Sequence, residues 1–371
     1  MANLHDTYRL TITTLSPLHI GTGNTLRQGY DFVTHKGKTW VIDAEVLAAM
    51  LYDQDPSDFD RMVQGVPAED LLRDSDYDPD SPLFRYVMNG TPRSAKQGAE
   101  VQELLKDPWD RPYIPGSSLK GALRTALVYV GWQEREKQQA VKLDPDRLDS
   151  RDKFAAQPLE AQVLYGQEKS PNYDLLRAVQ VSDSEPGERK HLQLLNVQVL
   201  KGQESESPIE LEAVRHGVTF TATLTLDGFL RKHASGNLGW KKDQLLWLNN
   251  IPLVVNRFSS VRIGDEKQRW QNVQPHLWSF YETLERTPFD PHAEFLLQLG
   301  WGGGWDSKTF GAILTHQPRV FATIVKKYGK KIIRQGEYKP GSFPKSRRVV
   351  VNAGGQPVRP LGWIKVRMER V

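Results

Sequence analysis

The chain has 371 residues, with 49 Lys and Arg against 45 Asp and Glu, and its formal net charge at pH 7 is +4. A chain of that length is longer than one that usually folds around a single hydrophobic core, which favours two domains. No run of about eighteen apolar residues occurs, which excludes a membrane-spanning helix, and we expect no signal peptide. The absence of cysteine excludes disulfides and thiolate metal sites, and fits the cytoplasm.

Charge is unevenly distributed along the chain. Tyr52 to Pro82 carries ten acidic residues against two arginines, whereas Gly302 to the C-terminus carries fifteen Lys and Arg against three acids. Clustered cations release counterions from a polyanion, so the basic end predicts such a partner. The acidic stretch indicates a solvated loop or a protein-facing surface.

The N-terminal elements predict a ferredoxin-like α+β unit. Tyr8 to Thr13 alternates as a half-buried strand, and the loop SPLHIGTG follows at Ser16 to Gly23. A strand at Thr39 to Ile42 then precedes a helix that Asp43 caps and that runs to Leu51. Residues 52–111 are predicted to be an insertion, with a weak helical patch at Ala99 to Leu105.

The stretch PYIPGSSLKGALRTALVYV, Pro112 to Val130, predicts a turn and then a helix whose cap is Ser117 or Ser118. An apolar stripe from Leu119 to Val130 marks its buried face. Lys120 and Arg124 flank that stripe. Beside the positive end of a helix they are suited to bind phosphate, but they equally fit an amphipathic helix whose cations face water.

The C-terminal part predicts a second unit after an insertion at residues 133–170. Both halves combine strands, a helix and a glycine loop beside cations, which suggests an internal duplication. The predicted strands are 178–184, 192–200, 218–226, 294–299, 349–351 and 364–368, and the predicted helices are 243–248 and 274–285.

The second glycine loop, Gly302 to Thr309, nearly matches a phosphate-binding P-loop, but Ser307 stands where the second glycine belongs. Nucleotide hydrolysis is therefore disfavoured. Backbone amides of Gly302, Gly303 and Gly304 can still approach an anion, with Lys308 supplying charge. The alternative is a tight turn whose tryptophans belong to the core.

Three further features bear on chemistry. The histidines form no close ligand pair, so neither a metal nor a cofactor is predicted. His19 lies beside Gly21 and Gly23 and can contact RNA, although a lone histidine is more often structural. Asp31 is a weak candidate for phosphodiester cleavage, and a cap or turn role is favoured for it.

Val325 to Val351 carries nine cations and one glutamate, interleaved with three aromatic residues. Cations that follow a backbone and aromatics that stack on bases are typical of single-stranded nucleic-acid grooves. The alternative is a basic solvated hairpin. The candidate contacts at its start are Lys326, Lys327, Lys330 and Lys331.

Five segments resemble the RAMP superfamily, the backbone subunits of type III CRISPR effector complexes. They are LSPLHIGTG, YIPGSSLKGALRTAL, VQVSDS, AVRHGVTFTATLTLD and LGWGGGWDSKTFG. Within that family the length and GWDSKTFG are most similar to the fifth Csm subunit of subtype III-A.

The resemblance implies two fused ferredoxin-like (RRM-type) domains, which we place at residues 1–185 and 186–371. It implies a non-catalytic subunit that caps the filament and binds the 3′ portion of the CRISPR RNA. Its partners would be the CRISPR RNA, neighbouring Csm subunits, a trimming nuclease and, through the guide, target RNA. The family's RNA-binding positions map onto His19 to Gly23, Lys120, Arg124, Gly302 to Gly304 and Lys308.

An alternative from another class is a backbone RNase that cleaves target RNA through Asp31 and a divalent cation. The surrounding QGYDFVTH matches the cutting subunit of such complexes poorly, so no catalytic role is transferred.

Overall fold

A computed structural model describes residues 5–94, 98–148, 156–168, 170–201, 204–205, 209–307, 310–332 and 346–371. The architecture is mixed α+β, as predicted, with two curled sheets. The elements up to residue 201 are β1 (His5–Thr14), β2 (Gly21–Arg27), β3 (Phe32–His35), β4 (Lys38–Ile42), α1 (Ala44–Gln54), α2 (Pro56–Val63), β5 (Phe84–Asn89), β6 (Glu100–Leu104), α3 (Gly116–Lys137), α4 (Gln157–Leu164), β7 (Val179–Val181) and β8 (Leu192–Lys201). Those that follow are β9 (Glu204–Ser205), β10 (Ile209–Val214), β11 (Thr219–Asp227), α5 (Ser235–Leu238), α6 (Lys242–Asn249), α7 (Ile251–Trp270), α8 (Pro275–Arg286), β12 (Glu294–Gln298), α9 (Gly311–Thr315), α10 (Pro318–Ile332), β13 (Ser346–Val351), β14 (Pro357–Pro360) and β15 (Trp363–Arg370).

The first sheet has the strand order β12-β15-β1-β11-β7 and is antiparallel throughout. Strand β1 lies at its centre. Leu10 stands opposite Ala222 on one side and Met368 on the other. Leu10 and Ile12 are buried because alternate residues of a strand share one face, and this face lies in the main core with α3 and α7.

The second sheet has the order β2-β6-β10-β8-β5-β4-β3, with β9 and β13 also paired to β8 and β14 paired to β13. Both sheets take strands from both sides of residue 185. The predicted boundary there is therefore not where one sheet ends and the other begins, and the two-domain division stays a prediction.

The segment 52–111 contributes directly to the second sheet through β5 and β6. The helical patch predicted at Ala99 to Leu105 is wrong, because β6 lies there. Val101 and Leu104 are three residues apart and imitate a helical stripe. Pairing with β2 and β10 makes the segment a strand instead.

The acidic stretch packs on a small second core that it shares with α1 and its neighbouring strands. Asp43 and Asp55 cap α1 and α2 by accepting from backbone amides, which confirms the cap predicted for Asp43. Leu47, Leu51 and Leu71 pack in a cluster separate from the main core. Part of the acidic stretch is therefore helical and folded, although α2 itself buries no side chain.

Helix α7 was not predicted from the sequence. It is 20 residues long and lies against α3 and β12. Its buried side includes Ser259, Arg262 and Glu266, and these polar residues break the apolar periodicity that marks a helix.

Candidate nucleic-acid interface

The two glycine loops and the start of helix α3 meet at one open cleft of about 750 Å³. The loop after β1 and the loop after β12 form adjoining parts of its wall, and α3 also lines it. The lining residues among those described are His19, Ile20, Gly21, Gly23, Gln102, Glu103, Ser117, Ser118, Gly121, Ala122, Thr125, Ile209, Gln298, Leu299, Gly300, Trp301 and Ser307.

Backbone hydrogen bonds join the loop after β1 to the loop after β12 and to the turn before β15. The amide of Trp301 donates to the His19 carbonyl oxygen over 2.8 Å, and the amide of Gly362 donates to the Pro17 oxygen over 2.8 Å. Gly300 has φ +73°, and a Cβ there would lie 2.3 Å from the His19 oxygen. Only glycine fits such a position without displacing the neighbouring loop.

His19 organises the first loop from within. Its side chain is buried, and Nδ1 donates to the Glu212 carbonyl oxygen over 2.6 Å. Its ring meets the Trp301 ring edge-on at 6.1 Å, and a Cβ at Gly21 would lie 2.8 Å from its Nε2. The ring therefore has a structural role, and His19 is also a lining residue of the cleft. Contact with RNA stays a prediction.

Helix α3 begins differently from the prediction. It starts at Gly116, after Pro115, and no serine side chain caps it. The Gly116 amide instead donates to Asp183 Oδ1 over 2.8 Å, so the cap comes from the VQVSDS segment. Ser117 and Ser118 consequently lie inside the first turn, where both line the cleft.

The two cations of α3 that were predicted to bind phosphate, Lys120 and Arg124, are not among the described lining residues of the cleft. Arg124 forms ion pairs with Glu160, Nε to Oε2 at 3.0 Å, and with Asp174, Nη1 to Oδ2 at 2.6 Å. Burial lowers the pKa of Arg124, but the two carboxylates outweigh burial and raise it. Burial lowers the pKa of Lys120, and Asp174 opposes that shift.

The second glycine loop is largely interior. Gly302 and Gly303 are buried, and a Cβ at Gly302 would lie 2.8 Å from Leu361 Cβ. Gly304 is half-buried near Arg347. These glycines permit close packing of the loop, and their contact with an anion stays a prediction.

The remaining predicted cations are only partly described. Lys326 is exposed on α10. Lys327, Lys330 and Lys331 belong to the same helix, but their side chains lie outside the described residues, as does Lys308 altogether. The first part of the predicted basic groove or hairpin is therefore a helix.

A buried ionic cluster beneath the second glycine loop was not predicted. Arg347 Nη2 lies 2.6 Å from Glu266 Oε1 and 2.7 Å from Asp306 Oδ2, and Arg262 Nη1 lies 3.1 Å from Asp306 Oδ2. Burial raises the pKa of Glu266, but Arg347 and then Arg262 outweigh it, and the pKa lies below its ordinary value. The cluster joins α7, β13 and the loop, residues too far apart in sequence for a motif to reveal.

A second buried ion pair supports the part of the cleft formed by β6 and the loop after β1. Lys106 Nζ lies 2.5 Å from Glu212 Oε2, which also accepts from the Leu104 amide over 2.9 Å. Tyr86 donates to Glu212 Oε1 over 2.6 Å, and burial, with the Glu212 charge, raises the pKa of Tyr86. Glu212 thus fixes β6 with its side chain and His19 with its carbonyl.

Asp31 lies in a separate shallow cleft with Asp43, Glu45 and Arg85. Its Oδ2 accepts from the Arg27 amide over 2.7 Å, which closes a turn.

Among the described residues no group of three or more His, Asp or Glu could hold a metal ion. No described helix is long and apolar enough to cross a membrane.

Comparison with known proteins identifies relatives along nearly the whole chain. The model of the RAMP superfamily matches residues 11–307. A CRISPR system Cms protein Csm5 of Methanocaldococcus jannaschii is 24% identical over 379 aligned positions, which cover 95% of this chain and 87% of that protein. A Csm5 of Streptococcus thermophilus is 28% identical over 214 positions, covering 53% and 56% of the two chains.

Solved structures extend the likeness to the fold. A chain of a cryo-EM structure of a type III-A Csm-crRNA-target RNA ternary complex superposes with a TM-score of 0.72 at 26% identity, covering 98% of this chain and all of that one. The crystal structure of T. onnurineus Csm5 gives 0.67 at 25% identity, covering 95% and 99%. The two curled sheets are thus consistent with two ferredoxin-like RAMP domains.

Proposed function

This chain belongs to the RAMP superfamily, and on that premise we propose that it is a non-catalytic RNA-binding subunit of a type III-A CRISPR (Csm) effector complex. It caps the filament, binds the 3′ portion of the CRISPR RNA and so takes part in guide maturation and antiviral defence. Its partners are the CRISPR RNA, neighbouring Csm subunits, a trimming nuclease and target RNA paired to the guide.

One observation carries the proposal: the segments LSPLHIGTG, LGWGGGWDSKTFG and IPGSSLKG all contribute lining residues to a single cleft, the second of them through Gly300, Trp301 and Ser307. These three segments are distant in sequence, yet they carry the resemblance to RNA-bound backbone subunits. The likeness to a chain of an RNA-containing Csm complex over 98% of this chain supports the same partner.

The local contacts support a role in holding RNA over one in cutting it. The wall is fixed by backbone hydrogen bonds and buried ion pairs, so the cleft is preformed. Asp31, the candidate for cleavage, lies in another cleft and closes a turn through the Arg27 amide.

The experiment is to express the chain with the other subunits and sequence the RNA that co-purifies. We expect repeat-derived guides, and ultraviolet crosslinks from this subunit confined to their 3′ portion. Guides crosslinked through their 5′ portion would contradict the capping role. Co-purification of unrelated cellular RNA alone would contradict the assignment to a CRISPR complex.

A further inference from the structure

The lining of the cleft is polar but carries little positive charge. Gln102, Gln298 and Ser118 represent its amide and hydroxyl groups, and no lysine or arginine is among its described lining residues. Glu103 is the acidic member, and its Oε2 is held in place by Thr22 Oγ1 over 2.9 Å. A carboxylate repels phosphate, whereas amides and hydroxyls match the edges of bases and the ribose hydroxyl.

Trp301 gives the cleft an aromatic surface whose position is fixed. Its amide is bonded to the His19 oxygen, and the ring of His19 meets its edge. The guanidinium carbon of Arg348 lies over one face of the Trp301 ring, 4.7 Å from its centre, and Trp301 is a lining residue of the cleft. Because the indole is already ordered, stacking a base on it costs little conformational entropy.

From this geometry we infer that the cleft binds one unpaired nucleobase of the RNA, stacked on Trp301. Flanking phosphates lie outside the cleft. The volume of about 750 Å³ falls in the range of small-molecule sites, and base–aromatic stacking does not depend on which base is present. This inference rests on the proposed function and adds to it a base-binding residue that lies outside the predicted phosphate contacts.

The test compares Trp301→Leu with Trp301→Phe, since leucine keeps apolar bulk and phenylalanine keeps a ring. The probe is a fluorescein-labelled single-stranded RNA with the sequence of the co-purifying guide, titrated by anisotropy at several salt concentrations. Tyr52→Leu is the matched control, because Tyr52 is an exposed aromatic of α1 that does not line the cleft. Thermal denaturation of each variant checks that it is folded.

We expect Trp301→Leu to weaken binding by roughly 10-fold, as for the loss of one stacked base, with Trp301→Phe much closer to the parent. The slope of log affinity against log salt should not change, because no phosphate contact is lost. A slope reduced by about 0.7 would instead assign the residue to phosphate binding and overturn the inference.

A second measurement uses the same RNA with one abasic position moved along it. We expect one position at which base removal weakens the parent but not Trp301→Leu. Parent and Trp301→Leu binding equally, with no such position, would overturn the inference while the proposed function stands. Failure of the parent itself to bind the guide would overturn both.

Discussion

At the scale of single residues, the structure shows that a cation predicted from sequence to bind phosphate also has a structural role within the fold. Arg124 was predicted as a phosphate contact or as a cation facing water, but it pairs with two carboxylates. A motif gives the type and spacing of residues. It does not reveal that Glu160 and Asp174, from outside the motif, return to the same helix face.

Arg124→Ala is therefore expected to lower stability as well as RNA binding. The loss should be about 1–3 kcal/mol, because Glu160 and Asp174 remain without their partner. Urea unfolding of the variant measures this, with Arg286→Ala as a control whose ion pair with Glu282 is exposed and worth under about 1 kcal/mol. Equal midpoints for the two variants would contradict a structural role for Arg124.

Lys120 provides the comparison for binding. We expect Lys120→Ala to weaken guide retention and to reduce the salt slope, with little change in the urea midpoint. An unchanged affinity and slope would remove Lys120 from the RNA interface.

Asp31 tests the alternative of an RNase. Asp31→Ala should cost about 0.5–1.5 kcal/mol through the lost bond to the Arg27 amide. Target RNA cleavage by the assembled complex with Mg²⁺ should be unchanged, as it should for Asp43→Ala, which lines the same shallow cleft. Loss of one cleavage position in Asp31→Ala alone, with assembly intact, would establish the RNase alternative.

At the scale of elements, the buried cluster of Glu266, Arg347, Arg262 and Asp306 holds the second glycine loop on α7 and β13. Removing one charge from such a cluster leaves its partners buried and uncompensated. The geometry of the cleft therefore depends on residues that never line it.

Glu266→Gln is expected to destabilise the chain by about 3–5 kcal/mol at neutral pH. Glu285→Gln is the control, since its pair with Lys267 is partly exposed and should be worth under about 1 kcal/mol. Urea unfolding of both variants gives the comparison, and similar midpoints would show that the cluster contributes no net stability.

The same residue sets a pH dependence. The pKa of Glu266 is lower in the folded chain than its ordinary value of 4.5, so its contribution is complete above that pH and is lost as pH falls below it. The stability difference between the parent and Glu266→Gln should shrink in acid. A difference that stays constant from pH 7 to about pH 3.5 would contradict this assignment.

The elements that sequence predicted are those with an unbroken period. Strand β11 alternates from Thr219 to Asp227 and was found almost to the residue, as was α8 after Gln274. Helix α7 was missed because buried Arg262 and Glu266 interrupt its stripe. The caps of α3 differ because Asp183, from a distant segment, replaces the local serines.

At the scale of the whole molecule, the central strand β1 takes both partners, β11 and β15, from the second half of the chain. The domain boundary predicted at residue 185 did not anticipate this pairing, because strands so far apart in sequence leave no local pattern that identifies them as partners. The location of the cleft follows from the same topology, because it brings Pro17 and Gly362 within hydrogen-bond distance.

We expect fragments 1–185 and 186–371 not to fold separately, because β1 of the first would present Leu10 and Ile12 without sheet partners. Circular dichroism and limited proteolysis of each fragment, alone and co-expressed, measure this. A protease-resistant, cooperatively unfolding fragment 1–185 would show that the two predicted domains are independent.

The claim that the cleft holds the guide is tested most directly at Gly121, which lines it on α3. A Cβ built there, or at Gly264 in α7, meets nothing within 4 Å, so both positions accept a side chain, and replacing a helical glycine favours the fold by roughly 0.5–1 kcal/mol. The measurement is guide retention by complexes carrying Gly121→Glu or Gly264→Glu. The account predicts that Gly121→Glu loses protection of the guide's 3′ portion while Gly264→Glu keeps it, and equal protection in both would contradict it.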